Sequence, residues 1–176
     1  TVIWFTGDEF GGAAGPGGAG ETALAGWLDT GVTCLLLSSQ DYYYDRGLTP
    51  FMTSHLGLAT ASSDTDQTTV AGQGSPFGGH GPFSLSYPFS NFSDTFIPAG
   101  NGSIAFDGNQ GTAAVAAHTG FSYAAFLGFP WEALPTPADR TAVMQAFLDA
   151  CSDIASGLFR DGFDSGDTSA WSVSSP

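Results

Sequence analysis

The run Tyr123-Ala-Ala-Phe-Leu-Gly128 carries no charge and stops at Pro130, with Trp131 and Glu132 directly beyond it. An unbroken apolar run of this length suits a strand buried on both faces, and such strands belong to sheets covered on each side. Pro130 ends the ladder because it has no N–H to donate. In open α/β sheets, ligands bind just past the carboxyl ends of the strands. The segment therefore defines a core strand and marks where a site would lie.

Two further runs have the same character: Val2–Phe5, closed by Thr6-Gly-Asp8, and Val32–Leu37. Between them, Leu24, Trp27 and Leu28 recur at helical spacing over Glu21–Asp29, and Gly31 ends the helix. Strand, helix, strand predicts a parallel pair joined by a right-handed crossover. The Gly/Ala/Pro stretch from Gly11 to Gly20 reads as a surface loop. Thr49 as N-cap and Pro50 at the first helical position predict a short helix closed by Gly57. Ser38–Arg46 reads as a polar and aromatic turn. Residues 59–100 contain a short strand at Thr68–Ala71 and many aromatics, among them Phe77, Phe83, Phe89, Phe92 and Phe96. Disordered linkers are poor in aromatics, so this is an ordered excursion whose rings pack on the domain or form an interaction surface. Asp107-Gly108 between Ser103–Phe106 and Thr112–His118 predicts a hairpin. Pro137–Ile154 is an amphipathic helix with Val143, Met144, Phe147, Leu148 and Cys151 toward the core, capped by Thr136 or Asp139. Residues 1–156 read as one α/β domain and 157–176 as an acidic tail or linker.

Charge excludes some partners. The chain has three arginines, no lysine and 17 carboxylates, a net charge of −14. Nucleic acid and anionic membrane need Lys and Arg to meet their phosphates, so both are poor partners, and no nucleic acid is expected. No stretch approaches the ~20 apolar residues that span a bilayer. The charged fraction is only 11%, which points to a secreted, extracellular protein. Val2–Phe5 opens within a strand pattern, so further residues are expected before Thr1. Cys34 and Cys151 leave two readings, one disulfide or two buried thiols. Asp161, Asp164 and Asp167 recur at every third position, and Asp107 and Asn109 share a turn. These are hard oxygen ligands of the kind Ca2+ takes, but the spacing departs from an EF-hand and suits a solvated tail equally. No other cofactor is expected. Asn91-Phe-Ser93 and Asn101-Gly-Ser103 are glycosylation sequons.

Taken in order, Ile3-Trp-Phe-Thr-Gly7, Leu35-Leu-Leu-Ser-Ser-Gln-Asp41 with Tyr44-Asp-Arg-Gly-Leu-Thr-Pro-Phe51, and Phe126-Leu-Gly-Phe-Pro-Trp-Glu132 with its closing helix resemble domains similar to class I glutamine amidotransferases. Such domains accompany secreted bacterial peptidases. The tail is similar to short acidic segments near the C-termini of secreted bacterial proteins. The resemblance covers roughly residues 1–156. It implies a flavodoxin-like, mostly parallel sheet with flanking helices, an antiparallel hairpin extension and an incomplete N-terminal part, because two strands normally precede the one matching Val2–Phe5. An edge left open this way is a template for another polypeptide or for copies of this chain, in a multimer or filament.

Amidotransferases place a cysteine nucleophile on a sharp turn after a strand and a His-x-Glu pair at the end of a later strand. The matching positions here are Ser38-Ser39-Gln40 and Pro130-Trp131-Glu132, so the thiol and the imidazole are both replaced. Cys34 lies four residues before that turn, inside the strand. Without a base, a serine hydroxyl stays protonated and is a weak nucleophile. The expectation is a non-catalytic secreted accessory, binding or assembly module. The alternative is a degenerate or recruited hydrolase using Ser39 and Glu132, with His80 folded over from Gly78-Gly-His-Gly81. Asp8 and Glu9 follow the first strand, Gln40 and Asp41 the second, and Trp131 and Glu132 the last. These six are expected along one rim, either as turn and cap residues or as a cleft for a glycan or peptide. Trp131 and Tyr42–Tyr44 would be its stacking surfaces.

Overall fold

The computed structural model describes residues 1–157. The chain opens with β1 (Val2–Phe5), α1 (Gly18–Leu28) and β2 (Cys34–Ser38), and β1 and β2 are parallel, with Val2 opposite Leu35. The Ser38–Arg46 turn contains a short helix, α2 (Tyr42–Arg46). Next comes α3 (Pro50–Ser54), where the Thr49 hydroxyl accepts from the Met52 N–H at 3.2 Å, the expected N-cap. The excursion is ordered: β3 (Leu58–Ser62), β4 (Thr69–Gly72), α4 (Gly74–Phe77), β5 (Phe83–Ser84) and β6 (Thr95–Pro98). A meander of β7 (Gly102–Gly108), β8 (Gly111–Thr119) and β9 (Ser122–Leu127) follows. A 3-10 turn at Trp131–Ala133 leads into α5 (Pro137–Gly157).

The architecture is mixed α/β, but the sheet is not mostly parallel, which corrects the flavodoxin-like expectation. Its order is β1-β2-β9-β8-β7-β4-β5. Only β1–β2 and β2–β9 run parallel; β9–β8, β8–β7, β7–β4 and β4–β5 are antiparallel. The reason lies in the connections. Asn109–Gln110 and Gly120–Phe121 are tight turns, which can only join antiparallel neighbours, whereas parallel neighbours need a long crossover. The expected hairpin is therefore not an extension but the middle of the sheet. A separate two-stranded sheet pairs β3 with β6.

Alternation along β2 builds two cores. Cys34 and Leu36 face one side, with Tyr123, Ala125 and Leu127 of β9 and Val143, Phe147 and Cys151 of α5. Leu35 and Leu37 face the other, with Ala124 and Phe126 of β9, Leu28 of α1, Phe51 and Met52 of α3, and Phe96 of β6. α5 starts on the expected cap: the Thr136 hydroxyl accepts from the Asp139 N–H at 3.1 Å and donates to the Asp139 carboxylate at 2.6 Å. Val143, Phe147 and Cys151 are buried as expected, but Leu148 points outward and is half-exposed, because it follows Phe147 by one position and the buried stripe is narrow. Cys34 and Cys151 form a disulfide with Cα atoms 5.9 Å apart, tying the start of β2 to α5. The open edge of β1 exposes Ile3, Trp4 and Phe5. Among the described residues, no helix is long and apolar enough to cross a membrane.

Candidate functional site

Loops after β1 and β2 meet the segment before β6 at the carboxyl ends of the parallel strands, and a cleft of about 580 Å³ opens between them. Its acids are Asp8, Asp41 and Asp64, and its rings are Phe10, Tyr44, Phe89 and Phe92, with Gln40 and Ser90 between. Three of the six expected rim residues, Asp8, Gln40 and Asp41, thus come together here.

Gln40 builds the wall rather than facing a ligand. Its amide donates to the Ser90 carbonyl and its amide oxygen accepts from the Phe92 N–H, both at 3.1 Å, so the buried side chain pins the Phe89–Phe92 segment to the end of β2. Asp45 does the same for the opposite wall. Its carboxylate accepts from the N–H groups of Gly11 (3.0 Å), Gly12 (2.6 Å) and Ala14 (3.4 Å), which fixes the glycine loop that carries Phe10. Phe10 and Tyr44 are 74% and 64% exposed, so neither ring is used by the core.

Asp41 is only 6% exposed. Burial pushes its carboxyl up to about 6, helped by the charges of Asp45, Asp64 and Asp8 and opposed by a hydrogen bond from Gln40. Asp94, outside the cleft lining, is fully buried, with neither carboxylate oxygen in a hydrogen bond of good geometry. Burial, with lesser contributions from the charges of Asp41 and Asp64, pushes the Asp94 carboxyl up to about 9, against a pull downward from the Asp64 backbone. Asp94 is at this depth because of Gly128. A Cβ there would fall 2.6 Å from the Phe96 ring and 3.1 Å from the Asp94 Cβ, and the Gly128 carbonyl accepts from the Asp94 N–H at 2.6 Å.

The other expected site residues lie elsewhere. The Ser39 side chain is fully buried; its hydroxyl donates to the Ala14 carbonyl at 2.6 Å and accepts from the N–H groups of Tyr42 (3.1 Å) and Asp41 (3.3 Å). His80 sits beside β4, four strands from β2, where its carbonyl accepts from the Gly72 N–H. The Ser39 hydroxyl is thus bonded to its own turn and to the glycine loop, with no hydrogen bond to His80 or Glu132. Trp131 is stacked on Phe5, ring centroids 5.0 Å apart, and is nearly buried. Glu132 is exposed near Gly7, and Glu9 is exposed outside the cleft lining. Tyr42 is buried and its hydroxyl donates to Glu21 at 2.8 Å, which leaves Tyr44 as the ring of that trio lining the cleft.

The Asn91 amide donates to the Gln67 carbonyl at 2.9 Å, while Asn101 is exposed and donates to the Ser54 carbonyl. Asn109 accepts from the N–H groups of Thr68 and Thr69, so its oxygen is already engaged. Asp161, Asp164 and Asp167 lie outside the described residues. Among the described residues, no group of three or more His, Cys, Asp or Glu side chains is placed to hold a metal ion.

Phe10, Asp64, Phe89 and Phe92 were not among the residues the sequence marks as a site. The recurrence of aromatics through residues 77–96 was the available signal for Phe89 and Phe92, but periodicity does not separate rings that pack inward, such as Phe77 and Phe96, from rings that line a cleft. No protein-family model and no curated protein matches this chain.

Proposed function

We propose that this chain is a non-catalytic, extracellular accessory module that binds a ligand in the cleft past β1 and β2. The observation that carries the reading is the pairing of a braced, aromatic-walled cleft with a serine turn whose hydroxyl is engaged in holding the backbone. Pockets of this volume with a few convergent polar groups are the usual form of small-ligand sites. No histidine or cysteine is among the described cleft residues, and Ser39 is fully buried with its hydroxyl bonded to the Ala14 carbonyl and to the Asp41 and Tyr42 N–H groups. The same loss is what the amidotransferase resemblance implies. The disulfide suits an oxidising compartment.

A fluorophosphonate probe tests the reading against its alternative, a hydrolase using Ser39 and Glu132. The expected result is no labelling at Ser39, and ligand screening by NMR that shifts the amides of Phe10, Asp41, Tyr44 and Phe92. Labelling that disappears in Ser39→Ala would favour the hydrolase.

The β1 edge supports a second role, assembly. Val2–Phe5 is uncharged, its outer backbone pairs with no strand among the described residues, and Ile3 is 43% exposed. A second copy pairing its own β1 antiparallel would continue the sheet about a twofold axis. The −14 charge opposes such pairing at low salt and is screened at high salt. Sedimentation should therefore show self-association rising with salt, lost in Trp4→Lys. A chain monomeric at every concentration rejects self-pairing and leaves the edge to a strand from another polypeptide.

A further inference from the structure

We propose that the cleft recognises an organic cation, an ammonium or guanidinium group carried by a free amine or by a basic peptide side chain. This rests on the cleft being the working surface and adds the class of ligand it takes. Three carboxylates, Asp8, Asp41 and Asp64, line the cleft without a single Lys or Arg among its lining residues. The two described arginines are engaged elsewhere: Arg46 pairs with Glu21 at 3.3 Å, and Arg140 donates to the carbonyls of Glu132 and Leu134. The negative charge of the cleft is therefore uncompensated within the described chain, and a bound cation would supply what is lacking.

The walls add a second attraction. The face of an aromatic ring is negative, so a cation held between rings gains from the quadrupole, and more so when water is excluded. Phe10 and Tyr44 present large exposed rings on one side, and Phe92, 45% exposed, faces the opening from the other. An apolar ligand would use those rings but would bury the carboxylates unpaired, and an anion would be repelled. A sugar would use the rings and the oxygens but has no donor that neutralises charge.

Depth gives a third reason. Asp41 lines the cleft yet is almost fully buried, where a carboxylate without a positive partner is costly and one with a cation in front of it is stabilised.

The test is calorimetric titration of the whole chain at about 20 mM ionic strength, where screening is weak. Three α-N-acetylated probes are compared, so that the side chain carries the only charge: arginine amide, its neutral near-isostere citrulline amide, and the tripeptide Gly-Arg-Gly amide. NMR of the same samples locates the binding. Arginine amide should bind at least about tenfold more tightly than citrulline amide, as expected for a charge-assisted contact. Asp41→Asn should weaken it by about tenfold, and Tyr44→Ala by about threefold. Should Asp41→Asn fold poorly by circular dichroism, Asp8→Asn, on the exposed rim, should still weaken binding and lower its salt dependence. A tripeptide tighter than the amide identifies a peptide source; equal affinities identify a free cation. Equal binding of citrulline and arginine amides, with shifts at Phe10, Tyr44 and Phe92, overturns the cation class while keeping the cleft as a binding site. No shift at those residues with any probe overturns both.

Discussion

Replacing Asp94 by Asn should convert a pH-sensitive protein into one much less so. Asp94 has an ordinary unfolded-state value near 3.8, and burial raises its folded value to about 9. Between those values the unfolded chain has released the proton while the folded chain still holds it. Stability from this group is thus fully present below about pH 4 and falls by up to about 1.4 kcal/mol per pH unit until the folded carboxyl ionises. From about pH 5 to about pH 8 the loss is on the order of 4 kcal/mol. An Asn of the same shape stays neutral in both states and has no such slope. Urea unfolding with the disulfide intact measures it. With an m-value of about 2 kcal/mol per molar, the gap between the midpoints of Asp94→Asn and the parent should open by about 2 M over that range. Below about pH 4, where Asp94 is protonated in both states, the two should be close. Comparing two chains cancels the contribution of Asp41, whose raised carboxyl adds its own shallower slope up to about pH 6. Parallel pH profiles for the two chains would show that Asp94 is not held protonated, and the account of its burial would fail.

Replacing Cys34 and Cys151 together by Ser should lower stability by about 5 kcal/mol on the chain-entropy estimate, since the bridge closes a loop with a sequence separation of 117; the same urea assay reads it. Ser39→Ala should cost about 1–3 kcal/mol, because the Ala14 carbonyl and the Tyr42 and Asp41 N–H groups lose a shared partner in a buried place. Affinity for arginine amide should fall as pH drops from about 7 to about 5, because the Asp41 carboxyl takes up a proton near 6 and loses its charge; constant affinity over that range would remove Asp41 from recognition.

The legible parts of the fold were the local ones. The β1-α1-β2 unit, the Thr49 cap and the β7–β8 hairpin each depend on residues a few positions apart, where spacing and turn chemistry decide the outcome. Sheet direction was misread because it depends on which distant strands become neighbours. Nothing in Thr69–Gly72 says that it pairs with β7, or that β6 leaves the main sheet to pair with β3. The site divides in the same way. Asp8 and Asp41 were found because residues just past parallel strands converge at one end of a sheet. Trp131, at an equally promising position, is instead covered by Phe5. Asp94 carries no signal at all in its own neighbourhood. Its burial follows from a missing Cβ at Gly128, 34 positions away.

The disulfide between β2 and α5 also has a mechanical meaning. If this domain is pulled between its N-terminal strand and the chain beyond α5, force enters at Cys34 and leaves at Cys151 through the bond between them. The chain enclosed by the bridge, about 400 Å when extended at roughly 3.4 Å per residue, then bears no load. That enclosed length includes β9, the segment that carries Asp94, and the aromatic wall at Phe89–Phe92. Phe10 and Asp8 lie before Cys34, on the loaded part. Tension would therefore act on the loop that carries Asp8 and Phe10, while Asp41, Tyr44 and the Phe89–Phe92 segment stay within the closed loop.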